Sequence, residues 1–108
     1  MLDRSKLNSL MGGDEKMVQK FLEIFKTQTP NQLAELKYSI TNESWEQASI
    51  IAHAIKSQCK YLGLEQSAEW ASKIEQLAEE KSDTFLIPGL LVQLEDKLLL
   101  IIDDEFGE

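Results

Sequence analysis

Apolar residues along this chain recur every three to four positions, and nowhere do they alternate for long with the period of two that a half-buried strand needs. The clearest run spans residues 45–62. There Ala48, Ile51, Ala52, Ile55, Cys59 and Leu62 follow at spacings of 3, 4, 3, 4 and 3, one continuous stripe along a helix. At about 100° per residue, His53, Lys56, Ser57 and Lys60 form a second stripe roughly opposite the first. A histidine kept for packing belongs among the apolar positions, whereas the single histidine of this chain stands with two lysines.

The remaining segments read in the same way. Residues 3–11 suit a short helix with Leu7, Leu10 and Met11 on one side. Gly12 and Gly13 end it, since glycine readily takes the left-handed conformation of a helix C-terminus. Asp14 caps a second helix through residue 28, with Val18, Phe21, Leu22 and Phe25 as its buried stripe. Thr29-Pro30-Asn31-Gln32 reads as a kink or as a new start. The start has a mechanism: a Thr cap, Pro at the first position and Gln three residues after the cap. A further helix to about residue 40 buries Leu33, Leu36 and Ile40, so the expectation is a bent pair of helices in line.

After the turn Thr41-Asn42-Glu43, Ser44 and Gln47 form a capping box that opens the histidine helix. Gly63 closes it, with Leu64 supplying the apolar contact of a Schellman ending. Residues 65–80 place Ala68, Ala71, Ile74 and Ala78 on one face, flanked by Trp70 and Leu77. Those small residues allow close approach to Ala48 and Ala52. The last helix starts at residue 83 or at Pro88 and runs to about residue 102, with Leu91, Leu94, Leu98 and Ile101 or Ile102 as its seam. Residues 103–108 are acidic and read as a frayed end. Long segments joined by short turns predict an all-α fold, an up-down four-helix bundle with a short extra N-terminal helix. Residues 1–108 read as one domain.

Composition agrees with helices, since only two prolines and five glycines interrupt 108 residues. The formal charge of −8 argues against nucleic acid as a partner, which needs clustered Lys and Arg to neutralise phosphates. Residues 45–64 stand out against that acidity, with Lys56 and Lys60 against Glu46 alone. Trp45 and Trp70 lack the basic neighbours that base stacking requires. One cysteine forms no internal disulfide, which suits a reducing cytoplasm. The longest apolar run, residues 98–102, is far short of the roughly 20 residues of a membrane span. A soluble, cytoplasmic protein without a membrane partner is the expectation.

The residues around the histidine carry a resemblance. His53, Ile55, Lys56, Ser57, Cys59, Leu62 and Gly63 follow the pattern His-x-(Leu/Ile)-Lys-Gly-x-(small)-x-x-Leu-Gly, which resembles the phosphoacceptor helix of histidine-containing phosphotransfer (HPt) domains. Ser57 departs from it, because the family usually has Gly directly after the lysine. The side chain at that position lies one turn from His53, beside its ring, and its size controls access to the imidazole. The resemblance implies a helical bundle that accepts a phosphoryl group on His53 and passes it on reversibly in a two-component phosphorelay. The partners it implies are a response-regulator receiver domain, whose aspartate and Mg²⁺ supply the remaining chemistry, and a hybrid sensor histidine kinase. It also implies a Gln or Glu about 22 residues after the histidine to orient the ring, and that position is Glu75.

The chemistry of the residues is consistent with this. Neutral imidazole is a good nucleophile near neutral pH. Attack on phosphorus spreads negative charge over three oxygens, so a nearby cation lowers the barrier. Lys56, three residues on from His53 and expected to be exposed, takes that role. Lys60 attracts phosphate or partner, or is simply solvated. Ile50, Ala54, Ser57 and Tyr61 lie along the flank of the His53 stripe and read as a docking patch, although Tyr61 equally reads as a cover for the helix end and Glu75 as a solvated carboxylate. No GxxxxGK loop is present, so what the resemblance implies is a phosphocarrier without kinase activity of its own. Cys59 lies on the core stripe and forms no dyad with His53, and no His-His or Cys-Cys spacing suits zinc. No cofactor is expected on this chain. The competing reading is an acidic helical adaptor that binds receiver domains or other signalling partners without being phosphorylated.

Overall fold

The computed structural model describes residues 4–106. Its elements are α1 (Arg4–Leu10), α2 (Glu15–Thr41), α3 (Trp45–Tyr61), α4 (Glu65–Glu80), a single 3-10 turn (Thr84–Leu86) and α5 (Ile87–Phe106). Among the described residues all regular structure is helical. Each long helix packs on its neighbour in the chain and α5 returns to α2, which closes a four-helix ring around one apolar core. The short connections make consecutive helices antiparallel. At about 1.5 Å per residue the 27-residue α2 accounts for the 41 Å long axis of the molecule. None of the described helices is long and apolar enough to cross a membrane.

The helix ends show why the boundaries fall where they do. Asp14 caps α2 as expected, its Oδ1 accepting from the backbone N–H of Lys16 and Met17 at 3.0 and 3.3 Å. Gly63 ends α3 at φ 73°. The Leu64 N–H donates to Cys59 O and the Gly63 N–H to Lys60 O, the paired bonds of a Schellman motif, with Leu64 buried behind them. Helix α2 ends in the same pattern, but Glu43 occupies the left-handed position at φ 54°.

Several expectations are corrected. The segment 15–41 is one continuous helix, with Pro30 inside it. The buried positions Val18, Leu22, Phe25, Thr29, Leu33, Leu36 and Ile40 run through the proline at unbroken helical spacing. Thr29 is therefore a core position and caps nothing. Pro30 is exposed, so the hydrogen bond it cannot make lies on the solvent side. Ser44 precedes α3 but its side chain makes no capping bond. Leu10 is exposed, because Leu7 alone provides the core contact of a two-turn helix. The last helix takes the later of its two starts, with Pro88 in its first turn, where a missing N–H costs little. Residues 103–106 continue that helix rather than fraying. Of the two candidates for its seam, Ile101 is fully buried and Ile102 only partly. The start expected at residue 3 and the end of the acidic tail lie outside the described residues.

Helices α3 and α4 make the most extensive helix–helix contact in the molecule. Ala48, Ala52, Ala68, Ala71 and Ala78 are all buried, and small side chains let two backbones approach closely. This contact fixes how a side chain on the outer edge of α4 meets one on α3.

Candidate functional site

The buried stripe of α3 holds Ala48, Ile51, Ala52, Ile55 and Cys59 against the core, which turns the opposite side of the helix outward. His53 sits on that side with its side chain 59% exposed. Cys59 is enclosed, and burial pushes its thiol up to about 12, so it stays protonated and inert.

Glu75 reaches across from α4. One of its carboxylate oxygens, Oε2, lies 2.8 Å from His53 Nδ1, and the other, Oε1, accepts from Lys56 Nζ at 2.6 Å. The Glu75 side chain is only 16% exposed and that of Lys56 only 18%. Burial pushes the Glu75 carboxyl up, but the hydrogen bonds from Lys56 and His53 and the charges behind them outweigh it. The group is held below the usual carboxylate range. An ionised carboxylate only accepts, so Nδ1 must carry the proton in this contact. In the neutral ring, Nε2 is then left with a free lone pair.

The expectation of an exposed Lys56 is corrected. At i+3 from His53 it leans toward α4 instead of into solvent, because Glu75 holds its ammonium. Ala54 and Ser57 are half-buried, while Lys60 is exposed. Ile50 and Tyr61 are exposed at 57% and 47%. Tyr61 also meets Phe21 of α2 edge-to-face, with ring centroids 5.9 Å apart, so it both covers a helix junction and presents a face. Ser57, Lys60 and Tyr61 share a cleft with Lys6 and Leu10 of α1. Ile50 lies apart from it, lining a depression near the start of α3 with Trp45 and Lys81. The proximity of Lys6 and Leu10 is a tertiary fact with no sequence signal.

Fold and site together define a helical bundle that presents one imidazole from the crest of a helix, with the inner ring nitrogen anchored and the outer one free. The sequence model of the Hpt domain matches residues 20–102. The chain belongs to the Hpt domain family, and its general role is histidine phosphotransfer in a phosphorelay. Helix α1 precedes the matched residues. No curated protein and no solved structure matches the chain.

Proposed function

We propose that His53 is the phosphoacceptor of this Hpt domain, taking a phosphoryl group on Nε2 from a receiver-domain aspartate and returning it to another receiver. The observation that carries this reading is the 2.8 Å contact between Nδ1 and Glu75 beneath an exposed ring. It leaves the outward nitrogen as the nucleophile and fixes its direction of attack. The nitrogen lone pair attacks phosphorus, the P–O bond to the aspartate breaks, and the electron pair leaves with the aspartate carboxylate. Lys56 supplies positive charge beside the transferred group, and Glu75 orients the imidazole.

The receiver provides the aspartate and the Mg²⁺, and a hybrid sensor histidine kinase stands upstream as the source of phosphate. Ile50, Ala54, Ser57, Lys60 and Tyr61 form the docking surface around the ring, and Lys6 and Leu10 extend it onto α1. Ser57 in place of the usual glycine narrows the approach to the ring without closing it, since His53 remains more than half exposed.

The test is transfer of labelled phosphate from a phosphorylated receiver domain to the full chain. Label is expected on the wild type and not on His53→Gln, with helical circular dichroism unchanged. Equal labelling of the variant, or none of the wild type, overturns the assignment and favours an adaptor that docks without accepting phosphate.

A further inference from the structure

We propose that Glu75 serves two cations in turn, and that phosphorylation of His53 hands the Lys56 ammonium from the Glu75 carboxylate to the phosphoryl group. The inference rests on the assignment of His53 as phosphoacceptor. In the unphosphorylated protein both carboxylate oxygens are in use, Oε1 with Lys56 Nζ at 2.6 Å and Oε2 with His53 Nδ1 at 2.8 Å. The lysine that is to support the phosphoryl group is thus held on α4 with its side chain largely covered.

Transfer changes the charges at every corner of this triangle. As the Nε2–P bond forms and the P–O bond to the donor aspartate breaks, Nδ1 keeps its proton. The ring has given up a lone pair and carries a positive charge. A hydrogen bond from a cationic ring to a carboxylate is shorter and stronger than one from a neutral ring, so the Glu75 charge is drawn toward the imidazole. A group with close to two negative charges now stands one helical turn from Lys56. The ammonium therefore has a stronger anion within reach of its flexible four-carbon stem, while its former partner has been claimed by the ring. Lys56 moves to the phosphoryl oxygens, Glu75 stays on Nδ1, and each cation keeps an anionic partner in both states, the one negative charge in excess lying on the exposed phosphoryl group. Reversal of the transfer restores the original pairing.

A neutral amide at position 75 does only part of this. It accepts from Nδ1–H and so keeps the ring oriented, but it neither retains Lys56 beforehand nor balances the charged ring afterwards. Glu75 is on this account a positioning residue that also sets how far the equilibrium favours phosphohistidine.

The experiment is NMR on the full chain labelled with ¹⁵N and ¹³C, before and after phosphorylation by phosphoramidate, a small donor that needs no protein partner. Before phosphorylation, scalar coupling across the hydrogen bond is expected between Lys56 Nζ and the Glu75 carboxyl carbon. Afterwards that coupling is expected to vanish and one between Nζ and ³¹P to appear, while His53 Nδ1 remains coupled to Glu75. With a receiver domain as donor, Glu75→Gln is expected to lower the equilibrium ratio of phosphohistidine to phosphoaspartate on the order of tenfold, with the Nδ1–H tautomer retained. Lys56 still coupled to Glu75 in the phosphorylated protein overturns the handover, as does an unchanged ratio in Glu75→Gln. A chain that accepts phosphate from phosphoramidate but from no receiver still reads out the handover and refutes the relay role alone. Failure of both phosphoramidate and a phosphorylated receiver domain to modify His53 refutes both.

Discussion

The two flanks of α3 are held by different means. On the α4 side, alanines bring two backbones together and a single carboxylate ties His53 and Lys56 to the neighbouring helix. On the α2 side the contact near the site is an aromatic edge, Tyr61 on Phe21. Helix α2 also carries an internal proline and a buried hydroxyl without a partner. The proposed phosphoacceptor site is mounted on the regular flank, and α2 meets it through a contact that does not need hydrogen-bond geometry. Two hydrogen bonds accepted by one carboxylate tolerate only tenths of an ångström of movement, whereas an aromatic edge tolerates far more.

The sharpest way to break this contrast is to thicken the regular flank. Ala71 is completely buried, and Ala71→Leu inserts three carbons where α4 has no room to yield. The expected cost is about 1–3 kcal/mol, seen as a Tm lower by roughly 5–20 °C. Because α4 must move outward, Glu75 loses register with His53 and phosphotransfer slows along with the loss of stability. The same enlargement at Ala34, on the solvent side of α2, is expected to stay within about ±0.5 kcal/mol. Equal effects at the two positions, by thermal unfolding, would remove the distinction between the flanks.

What the sequence made legible divides along the same line. The face of α3, its Gly63 ending and the bounds of α4 follow from spacing and glycine chemistry, which are local. The orientation of His53 was readable because the apolar stripe opposite it is complete. The pairing of Glu75 was readable only through the family resemblance, since no periodicity links residues on different helices. Thr29-Pro30 misled because it satisfies every rule for a helix start, and tertiary burial of Thr29 overrode them. Lys56 misled for a related reason: its position on the outer stripe is correct, but a carboxylate from another helix covers it.

Glu75 provides an intermediate test of the regular flank, through pH. Its carboxyl is held below the usual range in the folded protein, so the unfolded chain takes up its proton first as acid is added. The stability this group contributes is complete above the unfolded value, about 4.3, and is lost as pH falls through the lower folded value. Glu75→Gln lacks the titration. At neutral pH the wild type is expected to be more stable than the variant by about 1–2 kcal/mol, the scale of hydrogen bonds to a charged group. The gap is expected to close as pH falls below about 4. Urea unfolding of both proteins from pH 7 to pH 3 measures it, and a gap that persists or widens in acid shows that Glu75 is not a stabilising anion.

The smallest expected effect lies in α2. Thr29 is 1% exposed and its Oγ1 has no hydrogen-bond partner. A hydroxyl in that state has given up water and gained nothing, a penalty of about 1–3 kcal/mol when it is complete. Valine has the same branched shape, so Thr29→Val removes the polar atom without opening a cavity. The Oγ1 occupies a volume that a methyl group fills with little strain, and the neighbouring stripe positions Phe25 and Leu33 are apolar. The expected outcome is a gain of up to about 1 kcal/mol, or a Tm higher by roughly 4–8 °C. The His53–Glu75 contact should be unaffected, as judged by the Nδ1–H resonance. A destabilised variant would show that the hydroxyl is hydrogen-bonded in solution, and α2 would then be as well satisfied at its centre as the helices that carry the site.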